Sequence, residues 1–341
     1  MFISGRLVAL FRRRGHAHIP YTALMPAPNL IDHSPTPLPP KSEAPQPLPR
    51  GFLLGLAIVV AGFAWPLTDW VRYGLQSDLF SYTLLVPVVS AYLFMTGRRH
   101  SSGTAAGPAR GLGSILATGG LAVAAGYALA LGGGSRFAPQ DAVAITALAF
   151  VLLVAAVAAF FLPRPLLRHA AFPLIFLVFM APFPVAVEHA VEMFLQHGSA
   201  PPAYWFLKLA GTPVFREDLI FQLPGITLQV APECSGIRST IVLFLTSLVA
   251  SYLFLRSPWR RAVLIGAVIP LALVRNGFRI FVIGELCVRI GPHMIDSFVH
   301  KKGGPIFFAL SLIPFSILVY FLVKSDRRQA AATPASHHPQ S

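Results

Sequence analysis

Apolar runs of about 20 residues recur along the whole chain, at 52–68, 79–96, 112–131, 141–162, 170–187, 237–255, 262–283 and 304–323. In lipid, where no water pairs with exposed N–H and C=O groups, such a run satisfies its backbone by becoming a helix. The pattern therefore predicts an all-α polytopic membrane protein with about eight transmembrane helices. Charge scarcity agrees: 12% of residues are charged, against roughly 25% in soluble domains. Prolines within the runs, among them Pro87, Pro173, Pro182, Pro270 and Pro314, are compatible with helices whose neighbours satisfy the freed backbone groups.

Three segments follow. Residues 1–50 carry Arg6, Arg12, Arg13 and Arg14, then a proline-rich run from Pro35 to Pro49. They cannot bury enough apolar surface to fold and are expected to form a disordered cytoplasmic tail. Residues 51–323 form the membrane domain, and 324–341 a second disordered cytoplasmic tail. No cleavable signal peptide pattern is present at the start. The formal charge of +14 does not point to nucleic acid, because the basic residues lie in short groups between apolar runs, as in cytoplasmic loops. Placing the amino end inside puts Arg98, Arg99, Arg110, Arg164, Arg168, Arg256, Arg260, Arg261, Lys324, Arg327 and Arg328 inside as well. Of the 13 acidic residues only Asp32, Glu43 and Asp326 join them. Both termini are thus expected in the cytoplasm, although Lys301 and Lys302 break the pattern.

The longest outer segment, about 188–236, reads in two halves. Its first half, to Leu209, has the apolar spacing of an interfacial helix, with Tyr204 and Trp205 suited to the headgroup level. The second alternates through Leu219, Phe221 and Leu223, turns at Pro224-Gly225, and resumes at Ile226, Leu228 and Val230. Period-2 patterning about a Pro-Gly turn predicts an extracytoplasmic β-hairpin.

That hairpin delivers the chain to Val230-Ala-Pro-Glu-Cys-Ser-Gly-Ile-Arg-Ser-Thr240. If the apolar run from Ile237 is helical, Cys234 lies at its amino end, where free N–H groups and the dipole favour a thiolate. Arg238, four residues on, would add positive charge from the same face. The next span ends in Val274-Arg-Asn-Gly-Phe-Arg-Ile280, with Arg275 and Arg279 on one helical face and Asn276 adjoining. His300 precedes the last span. Hydropathy and charge place Cys234, Arg279 and His300 at similar depth on the outer side. A cysteine nucleophile needs a base or ion-pair partner and donors for an oxyanion, and these residue types supply both. Spacing alone leaves other readings open. Cys234 could be a small buried residue or pair with Cys287, the arginines could snorkel from a helix end, and His189, His197 and His293 compete with His300. The scattered ligands lack the close pairs of zinc sites, so neither metal nor cofactor is expected.

Three ordered blocks give the chain a resemblance to the exosortase/archaeosortase family of integral membrane cysteine transpeptidase-like proteins. They are Pro232-Glu-Cys-Ser-Gly-Ile-Arg-Ser239, Asn276-Gly-Phe-Arg-Ile280 and His300-Lys-Lys-Gly-Gly-Pro-Ile-Phe307. The resemblance implies a Cys–Arg–His triad of Cys234, Arg279 and His300, with Ser235, Arg238, Arg275 and Asn276 in substrate-binding or supporting positions. It implies a multi-pass protein of the cell inner membrane with its active site on the extracytoplasmic side. Its partners would be membrane lipid and exported proteins bearing a C-terminal sorting signal: a short motif such as Pro-Glu-Pro (PEP-CTERM-like), a transmembrane helix and a basic cluster. The acceptor would be water or an amine, including one on a surface polymer or lipid, in a setting of exopolysaccharide production. Two readings of other classes stand beside this one. A transporter or flippase would use Arg275, Asn276 and Arg279 in a polar cavity and would show internal repeats or paired broken helices. A non-catalytic assembly component would join Cys234 to Cys287.

Overall fold

A computed structural model describes residues 48–98, 107–232, 235–296 and 303–332; the amino-terminal tail, Cys234 and His300 lie outside them. Among the described residues five helices are long and apolar enough to cross a membrane, or up to seven spans if each of two bent helix pairs is one. The protein is a multi-pass membrane protein.

Helices α1 (Arg50–Gly62) and α2 (Ala64–Gln76) form the first bent pair, at 69°. A 3₁₀ turn at Ser81–Leu84 leads into α3 (Leu85–Arg98). At 14 residues, α3 rises about 21 Å, short of the ~30 Å hydrocarbon core. The apolar run at 79–96 thus yields a short helix rather than an evident full span. Helices α4 (Arg110–Gly132) and α5 (Pro139–Phe161) pack along each other. The approach is close: a methyl group on Gly113 or Gly120 would sit 2.9 Å from Phe160 or Leu153. α5 is apolar on every side, as a helix enclosed by others must be, and Ala144, Ala147, Ala149, Ala156, Ala158 and Ala159 are buried along it.

The second bent pair, at 91°, joins α6 (Arg164–Phe176) and its 3₁₀ extension to Met180 with α7 (Val185–Leu209). The carbonyls exposed at this break are satisfied: Trp70 Nε1 donates to Met180 O at 2.9 Å and Gln140 Nε2 to Phe183 O at 2.7 Å. α7, which takes in the segment read from the sequence as an interfacial helix, packs along α10 (Val268–Arg289). Small residues make this possible. A methyl on Gly277 of α10 would come within 2.9 Å of Ala203 N and 3.0 Å of Ser199 O, the close approach that glycine and alanine permit between membrane helices.

After α7 the chain forms a three-stranded antiparallel sheet in the order β1 (Phe215–Glu217), β2 (Ile220–Leu223), β3 (Ile226–Gln229). β2 and β3 pair Phe221 with Leu228 and Leu223 with Ile226 across Pro224-Gly225, where Gly225 takes a φ of 80°. Phe221, Leu223, Leu228 and Val230 turn inward against Ala200, Ala203 and Leu207 of α7 and Ile280 of α10. Gln222, Thr227 and Gln229 stay exposed. β1 is an addition that sequence patterning does not reveal.

α8 (Ile237–Phe254) then runs to a turn, followed by α9 (Pro258–Gly266), which continues into α10. The last helix, α11 (Gly304–Ala332), extends well past residue 323. Residues 324–332, expected to begin a disordered tail, are therefore helical. Asp326 supplies the reason. Its carboxylate accepts from the backbone N–H groups of Arg256 (2.9 Å) and Ser257 (3.3 Å) and from Arg260 Nη1 (2.5 Å), while Arg260 Nη2 donates to Ser325 Oγ. These charge-assisted bonds fasten α11 to the α8–α9 turn.

Candidate active site

The cysteine block enters α8 through Gly236, which has φ 71° and ψ 18° and so occupies the left-handed region that a side chain disfavours. Helix geometry begins only at Ile237, so Cys234 precedes the helix rather than forming part of its first turn. The i, i+4 argument for Arg238 consequently fails. Arg238 is exposed, with Nη1 3.8 Å from Asp78 Oδ1, and none of its described contacts joins it to the polar cluster below. Ser235, by contrast, is buried at 1% exposure. Its N–H donates to Pro232 O at 2.9 Å, which turns the chain into the helix.

Three helices meet at this turn. From α10, Arg275 Nη2 donates to Gly236 O at 3.2 Å and to Thr240 Oγ1 at 3.1 Å. Gly236 O also accepts from Thr240 N, Thr240 Oγ1 and Ser239 Oγ. From α7, Ser199 Oγ accepts from Asn276 Nδ2 at 3.0 Å and donates to Leu195 O. Arg275, Asn276 and Ser199 are all buried. Removing such groups from water is costly unless each is hydrogen-bonded, and this cluster provides most of those bonds. Arg275 Nη1 is the exception: it is buried without a hydrogen-bond partner among the described residues. Arg279 lies one turn further along α10 and is half-buried.

The structure thus joins the first two sequence blocks through Arg275, Asn276 and Gly236, two positions from Cys234. Ser199 and Thr240 are members that sequence reasoning missed. Thr240 stands four residues after Gly236, the position for bonding back to its carbonyl. Ser199 offers only the weaker signal of a small polar residue in an apolar helix. Of the competing histidines, His197 Nδ1 lies 2.8 Å from Met193 O and Nε2 3.7 Å from Asp218, while His189 and His293 are exposed. No described contact links any of the three to the cluster. Cys287 is buried and forms no disulfide among the described residues; its pairing with Cys234 falls outside them.

Because Ser199 Oγ serves Asn276 and Leu195 together, Ser199→Ala leaves a buried amide short of an acceptor. Thermal unfolding in detergent should show a loss of about 1–3 kcal/mol.

Comparison with known proteins gives one result. The model of the transmembrane exosortase family matches residues 70–317, a range containing the cysteine block, Arg275 to Arg279 and His300. Neither the curated proteins nor the solved structures contain a match. The matched range takes in most of the chain and the polar junction of α7, α8 and α10, so the protein belongs to the transmembrane exosortase family.

Proposed function

We propose that the protein is a membrane-embedded cysteine peptidase or transpeptidase that cleaves the C-terminal sorting signal of exported proteins. The observation that carries this reading is the bond from Arg275 to Gly236 O. It brings the arginine-bearing face of α10 against the turn that immediately follows Cys234. The basic groups between spans favour both termini inside and this turn outside.

In the proposed reaction the Cys234 thiolate attacks the carbonyl carbon of the scissile peptide. Arg279 stabilises the resulting oxyanion or binds a motif carboxylate as a fork. The tetrahedral intermediate collapses to a thioester, the C–N bond breaks, and His300 passes its proton to the departing amine. Water or an acceptor amine then attacks the thioester and gives its proton to His300, and the C–S bond breaks to return the thiolate. The substrate's transmembrane helix, with its basic end inside, presents the motif at this level. Arg275 Nη1, buried and unpartnered among the described residues, is a further donor for the motif.

Mass spectrometry of a processed substrate's new C-terminus tests the proposal. A C-terminus ending within the sorting motif is expected: as a free acid it identifies a peptidase, and with an added group a transpeptidase. An uncut substrate on incubation with active membranes would reject both. The transporter reading has one observation in its favour, the two bent helix pairs. Their breaks, however, lie near Phe63 and at 181–184, outside the Arg275 cluster. Retained activity in Cys234→Ala with loss in Arg279→Ala would favour it.

A further inference from the structure

The carboxyl-terminal part of α11 carries a surface stripe that the proposed reaction does not use. Ser316, Val319, Tyr320, Val323, Lys324, Arg327 and Arg328 recur at three- and four-residue intervals, so they share one helical face. Together with Phe254 at the end of α8 they line a groove of about 650 Å³. The groove is apolar for its first two turns, a length of about 11 Å, and ends in three cations. None of the three forms an ion pair among the described residues. Lys324 Nζ instead lies 5.6 Å over the Tyr320 ring, inside the groove. Asp326, the acid nearest in sequence, is on another face with its carboxylate committed to Arg260. It does not neutralise the stripe.

The geometry points to a binding site for one anionic glycerophospholipid. An acyl chain lies along Phe254, Val319 and Val323, and the headgroup phosphate meets Lys324, Arg327 and Arg328. Charge complementarity selects this occupant. A soluble anion would leave the apolar length unused, and the basic end of a sorting signal would be repelled by like charge. A neutral lipid would leave the cations unmatched. Each cation near a membrane surface contributes about 1 kcal/mol toward an anionic headgroup, which for three is on the order of a hundredfold in affinity.

The test titrates full-length protein in detergent with dioleoyl phosphatidylglycerol or dioleoyl phosphatidylcholine, counting bound lipid by native mass spectrometry. The wild type is expected to hold phosphatidylglycerol on the order of a hundredfold more tightly. The K324Q/R327Q/R328Q variant should lose that preference, and R327K/R328K should keep it. Val319→Trp fills the groove with the cations intact and should weaken retention of phosphatidylglycerol. All three variants are compared only after eluting with the wild type on size exclusion. Equal retention of the two lipids by the wild type overturns the site. So does an unchanged preference in the triple variant, and so does undiminished binding by Val319→Trp, which would mark a charged surface without a groove.

Discussion

Membranes carrying Cys234→Ala are expected to leave a tagged, signal-bearing substrate at full length, with a loss on the order of 10⁶-fold relative to the wild type. The size follows from the role. Without the thiolate no thioester forms, and the remaining donors stabilise an oxyanion that nothing generates efficiently. Arg279→Ala should cost less, on the order of 10²–10³-fold, because it removes stabilisation and leaves the nucleophile. His300→Ala should also be impaired, since the leaving amine would depart unprotonated. Immunoblots of the substrate tag, read against equal enzyme levels, check all three. If Cys234→Ala membranes still shorten the substrate, the nucleophile assignment is wrong.

The second large effect is expected at Gly236, a residue with no reactive group. Alanine there meets two obstacles. At φ 71° its Cβ is strained, costing about 1–2 kcal/mol. That Cβ would also stand 3.0 Å from both Arg275 Nη2 and Asn276 Oδ1, tighter than ordinary contact. Asn276 is buried and bonded to Ser199, while the bonds of Arg275 run to the turn itself, so the turn shifts, carrying Cys234 with it. A displacement of about 1 Å costs roughly a hundredfold when reacting atoms must be aligned. Gly236→Ala should therefore lose about that much cleavage rate while the unfolding temperature falls modestly. A rate unchanged from the wild type would show that the turn does not set the position of Cys234.

Much of this site was legible in the sequence, and the reasons differ by residue. The start of α8 at Ile237 is marked by the change from polar to apolar residues, and Arg275 with Asn276 stand out because such groups are expensive in lipid. Arg238 misled for a geometric reason: a four-residue spacing means a shared face only within a helix, and Gly236 interrupts it. Ser199 was hidden because its segment of α7, by its apolar spacing with Tyr204 and Trp205, read as an interfacial helix and gave no reason to look for a partner helix. Its small residues, Gly198 to Ala200 and Ala203, are what seat it against α10. The bends of 69° and 91° were invisible to hydropathy, which measures the oiliness of a segment and not its direction. The helical residues beyond 323 were missed because Asp326 looks like a tail residue until its partner Arg260 is placed beside it.

The fastening of Asp326 to the α8–α9 turn makes α8 and α11 resemble the two arms of a pair of tongs. They are riveted at one end, while Cys234 and His300 lie just beyond the other end of each arm in the sequence. Arm length then becomes a design variable. α8 has 18 residues, about 27 Å, and α11 rises about 33 Å from Gly304 to Asp326. Removing one residue from α11 before the rivet would draw its tip back by about 1.5 Å and rotate it by about 100°. The offset between the amino ends of α8 and α11 is in this sense set at their far ends, by a carboxylate that takes no part in the proposed chemistry.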